Sequence, residues 1–167
     1  MKYIVCRVSA YGFLLLILNI GLLYGDNITG KREQIKQIAK DNNLHAVQVI
    51  LSFTRDESCR LAIIDALSGI TDTVAVDFLR NDALFFPDSA VRLVAVQALA
   101  SRYVLQSNID YIAKALSDPD VTIRLAVIQA FNRITNTTVV PLLITGLQDD
   151  LFPQVRESAV FGLIKFV

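Results

Sequence analysis

Apolar side chains recur at helical spacing along most of the chain. Val91, Ala95, Ala98 and Leu99 fall on one face of a helix, and so do Ile123, Val127, Ala130, Phe131 and Ile134. A shorter apolar-periodic segment precedes each long one. The pattern predicts four helix pairs: 44–53 with 57–70, 74–83 with 88–103, 108–117 with 120–134, and 140–148 with 152–166. A further helix is expected near 31–41. Its polar residues Lys31, Arg32, Glu33, Gln34, Lys36, Gln37 and Lys40 suit an end unit that faces water. No alternating strand pattern competes, so the predicted class is all-α.

The pattern is also periodic on a longer scale. Segments 56–67, 88–99, 120–131 and 152–163 align without gaps, and their arginines, Arg60, Arg92, Arg124 and Arg156, stand 32 residues apart. Six residues after each arginine comes a small residue: Ala66, Ala98, Ala130 and Gly162. A large apolar residue follows at Leu67, Leu99, Phe131 and Leu163. Cys59 aligns with Val91, Ile123 and Val155, so it reads as a small buried apolar residue. The links repeat as well, Ile70-Thr71-Asp72-Thr73 against Ile134-Thr135-Asn136-Thr137. Their Thr, Asp and Asn side chains can accept from the free N–H groups of the next helix. Pro141 suits a first helical turn. One such pair cannot cover its own apolar faces, but a stack of them can.

Asp118-Pro119-Asp120-Val121-Thr122-Ile123-Arg124-Leu125-Ala126-Val127-Ile128-Gln129-Ala130-Phe131 resembles the second helix of a HEAT repeat, of the type also called PBS-lyase HEAT-like. The resemblance extends over about 44–167. It implies an α-solenoid: a right-handed superhelix of antiparallel helix pairs, about four repeats plus an N-terminal capping helix. It also implies that the arginines bond carbonyls and acids between repeats, and that the second helices line a concave face. The family's acid six residues before the arginine is present at Asp118 and Asp150, but Thr54 and Phe86 hold those places in the earlier units, so a continuous acid–arginine ladder is not implied. On the concave face the register puts Leu61, Leu93, Leu125 and Glu157, then Asp65, Gln97, Gln129 and Phe161, then Ser68, Ala100, Asn132 and Ile164. A groove of leucine and glutamine suits a peptide or helix better than phosphate. The partner-binding set expected from this is Leu61, Asp65, Leu93, Gln97, Leu125, Gln129 and Phe161; the competing reading makes some of the leucines core. Phe161, Ile164 and Phe166 mark an apolar edge at which the chain could self-associate.

Composition sharpens this picture at the N-terminus. Hydrophobic residues make up 53% and the mean hydropathy is +0.48, partly because of the run from about Tyr11 to Tyr24. Lys2 and Arg7 precede that run, which is shorter than the ~20 residues a membrane span needs. Residues 1–25 therefore read as a secretory signal peptide, or as an uncleaved membrane anchor through 8–24, ahead of a repeat domain over 26–167. Either way the repeats are expected outside the cytoplasm, periplasmic or secreted. Removing 1–25 takes Lys2 and Arg7 from the 16 basic residues and none of the 16 acids, leaving a net charge near −2. That balance argues against a general nucleic-acid binder. Cys6 lies in this segment, so Cys59 would have no disulfide partner. Asn27-Ile28-Thr29 and Asn136-Thr137-Thr138 match glycosylation acceptors, which matters only in a eukaryotic secretory route.

Catalytic patterns are sparse. His45 is the one histidine, and it lacks an acid or a second histidine at helical spacing, so it reads as a surface residue and no metal site or nucleophilic triad is built on it. No glycine-rich phosphate loop occurs. Asp149 and Asp150 read most simply as helix caps or solvated groups. No cofactor is expected. The sequence points to an exported, non-catalytic scaffold for a protein or peptide partner. Two other readings stay open: an accessory subunit of an enzyme or lyase of the PBS-lyase HEAT-like type, and a structural component of a cell-envelope assembly.

Overall fold

The computed structural model describes residues 28–101 and 105–167. The proposed signal or anchor segment, with its boundary at 25/26, lies outside the described residues. Nine α-helices follow one another among the described residues: α1 Ile28–Ala39, α2 Leu44–Leu51, α3 Arg60–Gly69, α4 Thr73–Asn81, α5 Ser89–Ser101, α6 Leu105–Ala113, α7 Val121–Phe131, α8 Val140–Asp149 and α9 Pro153–Ile164. The four expected pairs are α2 with α3, α4 with α5, α6 with α7, and α8 with α9. Short 3-10 turns at Ser52–Arg55, Ala83–Phe85 and Lys114–Ser117 close the first helix of three pairs, which shortens the α-helical part of each relative to the sequence reading.

Local chemistry fixes the helix starts. Asn43 accepts from the Ala46 amide (2.8 Å), Asp72 from Ala75 (2.8 Å) and Asp120 from Thr122 (2.8 Å). Asn136 does the same for Thr138 at 2.9 Å, so its side chain is engaged in the turn before α8. Pro141 and Pro153 stand in the first turns of α8 and α9, where a missing N–H is harmless.

The second helices pack in sequence, α3 on α5, α5 on α7 and α7 on α9, and α1 packs on α3 as though it were the second helix of a preceding pair. On the other side α2 packs on α4 and α4 on α6. The result is an all-α solenoid. One continuous core runs through it, and the aligned positions behave alike: Cys59, Val91, Ile123 and Val155 are all buried, as are Ala66, Ala98, Ala130 and Gly162. Leu67, Leu99 and Phe131 are fully enclosed.

The small-residue row has a geometric cause. A Cβ added to Gly162 would lie 1.9 Å from Asn132 Oδ1 and 3.1 Å from a Leu143 methyl. The close approach of α9 to α7 requires glycine there. Asn132 is itself held, since its Nδ2 donates to the Ser158 carbonyl at 2.9 Å.

The capping helix departs from expectation in one respect. Lys31 and Arg32 do not simply face water. Lys31 Nζ bonds Asp56 at 3.0 Å, and Arg32 reaches the Ser58 carbonyl at 2.9 Å. Lys31 and the Ser58 N–H and hydroxyl all stabilise the Asp56 carboxylate; Ser58 contributes most, and the pKa falls to about 2. Asn42, in left-handed backbone at φ 46, reaches across from the α1–α2 turn to accept from the Thr71 amide at 2.6 Å. Asparagine tolerates that conformation better than most residues.

Candidate functional site

The repeated arginines are structural. Arg92 grips Asp118 with a two-pronged contact, Nε to Oδ2 at 2.7 Å and Nη2 to Oδ1 at 3.0 Å. Its Nη1 donates to the carbonyls of Phe86 and Pro87 at 2.8 and 2.9 Å. Arg124 does the same one period later, gripping Asp150 at 2.6 and 3.1 Å and donating to Asp118 and Pro119 carbonyls at 2.8 and 3.2 Å. Both pairs are largely buried. The aspartates raise the pKa of each arginine, while Arg124 holds the Asp150 carboxyl below its ordinary value. Asp150 is therefore neither a solvated group nor only a cap: it also accepts from the Phe152 amide at 3.0 Å and serves as one side of a repeat-to-repeat bridge.

Arg60 breaks the series. The position that would supply its acid is Phe86, and Arg60 turns instead to Glu57 at 2.8 Å. The ladder is thus interrupted between α3 and α5, as the substitutions at Thr54 and Phe86 foreshadow. Against that joint lies an open cleft of about 720 Å³, lined in part by Leu51, Phe78, Phe86 and Val91, with Arg55 and Asp88 among its polar residues.

Residues 82–164 match the family model for HEAT repeats. The chain is a HEAT-like repeat protein. A comparison with curated proteins gives no match. The HEAT-like assignment covers the half of the stack in which the arginine–aspartate bridges are complete.

The face formed by the second helices is where a HEAT-like stack offers a continuous surface. The structure distributes the expected residues unevenly along it. Leu61 on α3 is 78% exposed and Phe161 on α9 is 73% exposed. Asp65 and Gln129 are exposed, and Leu125 is half-buried. Leu93 is 9% exposed and belongs to the core, so the alternative reading of the leucines holds at that position. Gln97 is half-buried, and its Oε1 is enclosed without a hydrogen-bond partner among the described residues. The accessible surface therefore has two ends, Leu61 with Asp65 and Leu125 with Gln129 and Phe161, separated by a recessed middle on α5.

Two of the four residues that stand eight after an arginine do not join this surface, while Ile164 is exposed. Asn132 lies against Gly162 and Ser158, in the joint between α7 and α9. Ala100 is buried.

Other contacts had little sequence signal. Arg80 donates to Asn108 Oδ1 through Nε (3.0 Å) and Nη2 (2.9 Å), and the buried Asn108 in turn donates to the Leu99 carbonyl at 3.1 Å. Lys165 donates to the carbonyls of Phe131 (3.3 Å), Asn132 (2.8 Å) and Ile134, satisfying the end of α7. Burial lowers the Lys165 pKa. His45 is exposed on α2. Among the described residues no three His, Cys, Asp or Glu side chains converge as metal ligands, and no helix is long and apolar enough to cross a membrane.

Proposed function

We propose that this HEAT-like stack is an exported, non-catalytic scaffold that holds a protein or peptide partner along its second-helix face. The observation that carries the reading is the presence of bare apolar side chains on that face, Leu61 and Phe161, beside the polar groups of Asp65 and Gln129. Apolar anchors bordered by hydrogen-bonding side chains suit a helix or an extended peptide. The recessed α5 section, with Leu93 sunk into the core, gives a shallow saddle into which such a partner can settle. Export rests on Lys2 and Arg7 ahead of the apolar run at 11–24.

The test pairs Leu61→Asp with Gln129→Ala in the full-length chain. Partner recovery from cells expressing the tagged protein should fall several-fold relative to the parent, with the helical circular dichroism unchanged. Equal recovery of the same partner by parent and variant would remove the second-helix face from consideration. Protease added outside intact cells or spheroplasts should reach the repeats; full protection would overturn the export reading.

A further inference from the structure

The joint between α3 and α5 differs from the two behind it in more than its missing clamp. In those, Nη1 of Arg92 and of Arg124 donates to the carbonyls six and five residues back. The corresponding carbonyls before Arg60 belong to Thr54 and Arg55. Arg60 is turned to Glu57 instead, and among the described residues nothing donates to either carbonyl. The space differs as well. The clefts at the clamped joints measure about 410 and 490 Å³, each bordered by its own arginine and aspartate. The cleft at the unclamped joint measures about 720 Å³, within the range of about 300–1,000 Å³ usual for ligand sites, and no clamp borders it.

That larger cleft combines an apolar wall, a row of acceptors and one unmatched charge. The wall is Leu51, Phe78, Phe86 and Val91, and Phe86 keeps 43% of its area exposed. The acceptors come from the Ser52–Arg55 turn. The Ser52 and Thr54 hydroxyls donate to the Val49 and Leu51 carbonyls at 2.6 and 2.8 Å, so only their lone pairs remain for a ligand. The Thr54 and Arg55 carbonyls add to them. The charge is Arg55. Its charged neighbours are matched: Lys31 bonds Asp56, and Arg60 bonds Glu57. Across the cleft, Asp88 accepts from the Ala90 amide at 2.9 Å and helps to raise the pKa of Arg92. Arg55 itself is exposed and meets no acceptor among the described residues. A guanidinium in this state suits a carboxylate.

We propose that this cleft binds an extended segment of a protein partner: an aromatic or long aliphatic side chain lies against Leu51, Phe78 and Phe86, a neighbouring aspartate or glutamate meets Arg55, and backbone N–H groups reach the acceptors of the Ser52–Arg55 turn. The acceptors decide between occupants. An alkyl acid would satisfy the wall and Arg55 but brings no N–H donor for the Thr54 and Arg55 carbonyls. A helix spends most of its N–H groups on its own carbonyls, whereas an extended chain has them to give. The cleft shares no residue with the expected second-helix set, so either proposal can fail alone.

The experiment pans the full chain against a phage-displayed library of linear peptides of random sequence. Enriched peptides should carry an aromatic or long aliphatic residue beside an acid, or one residue removed from it. Their affinity should drop about tenfold or more on Arg55→Glu, and a selection repeated on that variant should put a base in the place of the acid. Phe86→Ala should lower the affinity about as far with the helical circular dichroism unchanged. A scan of single N-methylated peptide amides should find a position that abolishes binding. Leu61→Asp should leave the affinity level. No enriched peptide, or enriched peptides that ignore Arg55→Glu, overturns the proposal. So does saturable binding of decanoate in place of any peptide, because the ligand would then be an alkyl acid. A concentration-dependent dimer in sedimentation that Arg55→Glu abolishes also overturns it, because the occupant would be a second copy. Peptide binding that is lost on Leu61→Asp and kept on Phe86→Ala assigns the peptide to the second-helix face and overturns it too.

Discussion

Arg124 and Asp150 are 26 residues apart in sequence and meet fork to carboxylate, at 2.6 and 3.1 Å. Both side chains are nearly closed off from solvent, so removing one leaves the other charge with nowhere to go. Asp150→Asn should destabilise the fold by about 2–4 kcal/mol. Replacing both partners with apolar residues of similar volume should cost less than either single change. Urea unfolding of the double-mutant cycle checks this, and additive losses would mean the two do not act as a unit.

The same bridge gives a pH signature. Asp150 has a depressed folded pKa, chiefly through Arg124. Its contribution is fully present above the unfolded carboxyl value of ~3.9 and is lost as pH falls through the lower folded value. The stability gap between the parent and Asp150→Asn should therefore be widest near neutrality and should narrow below about pH 4. A gap that is unchanged or larger at pH 3 would contradict the assignment.

Phe131 is the largest side chain in the fully buried core. Phe131→Ala removes its ring from the joint between α7 and its neighbours, with an expected loss of about 3–5 kcal/mol. A change under about 0.5 kcal/mol in chemical denaturation would be inconsistent with an enclosed position.

Gly162→Ala sets two effects against each other. Alanine favours a helix over glycine by about 1 kcal/mol. The new methyl, however, would collide with Asn132 Oδ1 at 1.9 Å, and Asn132 is tied to Ser158. The clash should win, for a net loss of about 1–3 kcal/mol. Adding Asn132→Ala should return part of it. A stabilised single variant in thermal melts would show that α9 can move away at no cost.

Phe86 stands where a third bridge would need its acid, and it is 43% exposed. Phe86→Asp should draw Arg60 away from Glu57 and complete the series. Because the site is only partly enclosed, the gain should be modest, about 0–1 kcal/mol. The clearer readout is coupling: Arg60→Ala should cost more in the Phe86→Asp background than in the parent.

The 32-residue spacing was legible because every unit must place its arginine, its small residue and its large apolar residue at the same three points of the stack. That constraint is local and repeats, so the sequence displays it. The interrupted bridge was legible too, since Phe86 cannot accept from a guanidinium. The recess at α5 was not. Leu93 and Leu61 hold equivalent positions, and only the neighbours on each side decide that one is covered and the other bare. The cap from Lys165 repeats one made by Arg133 on the Ala100 carbonyl, but a basic residue at a helix end does not name the carbonyl it will meet. The clasp of Asn42 on Thr71 was also hidden, because it joins turns 29 residues apart through an asparagine that has no repeated counterpart. Asn42-Asn43 did carry a turn signal, but not the identity of what it would reach.

The missing bridge at Arg60 also makes the rod unequal along its length. Among the described residues the two joints behind it, α5 with α7 and α7 with α9, each carry a buried two-pronged clamp in addition to their apolar packing, and the joint between α3 and α5 carries none of that kind. Leu61 and Gln129 therefore stand on opposite sides of the unclamped seam.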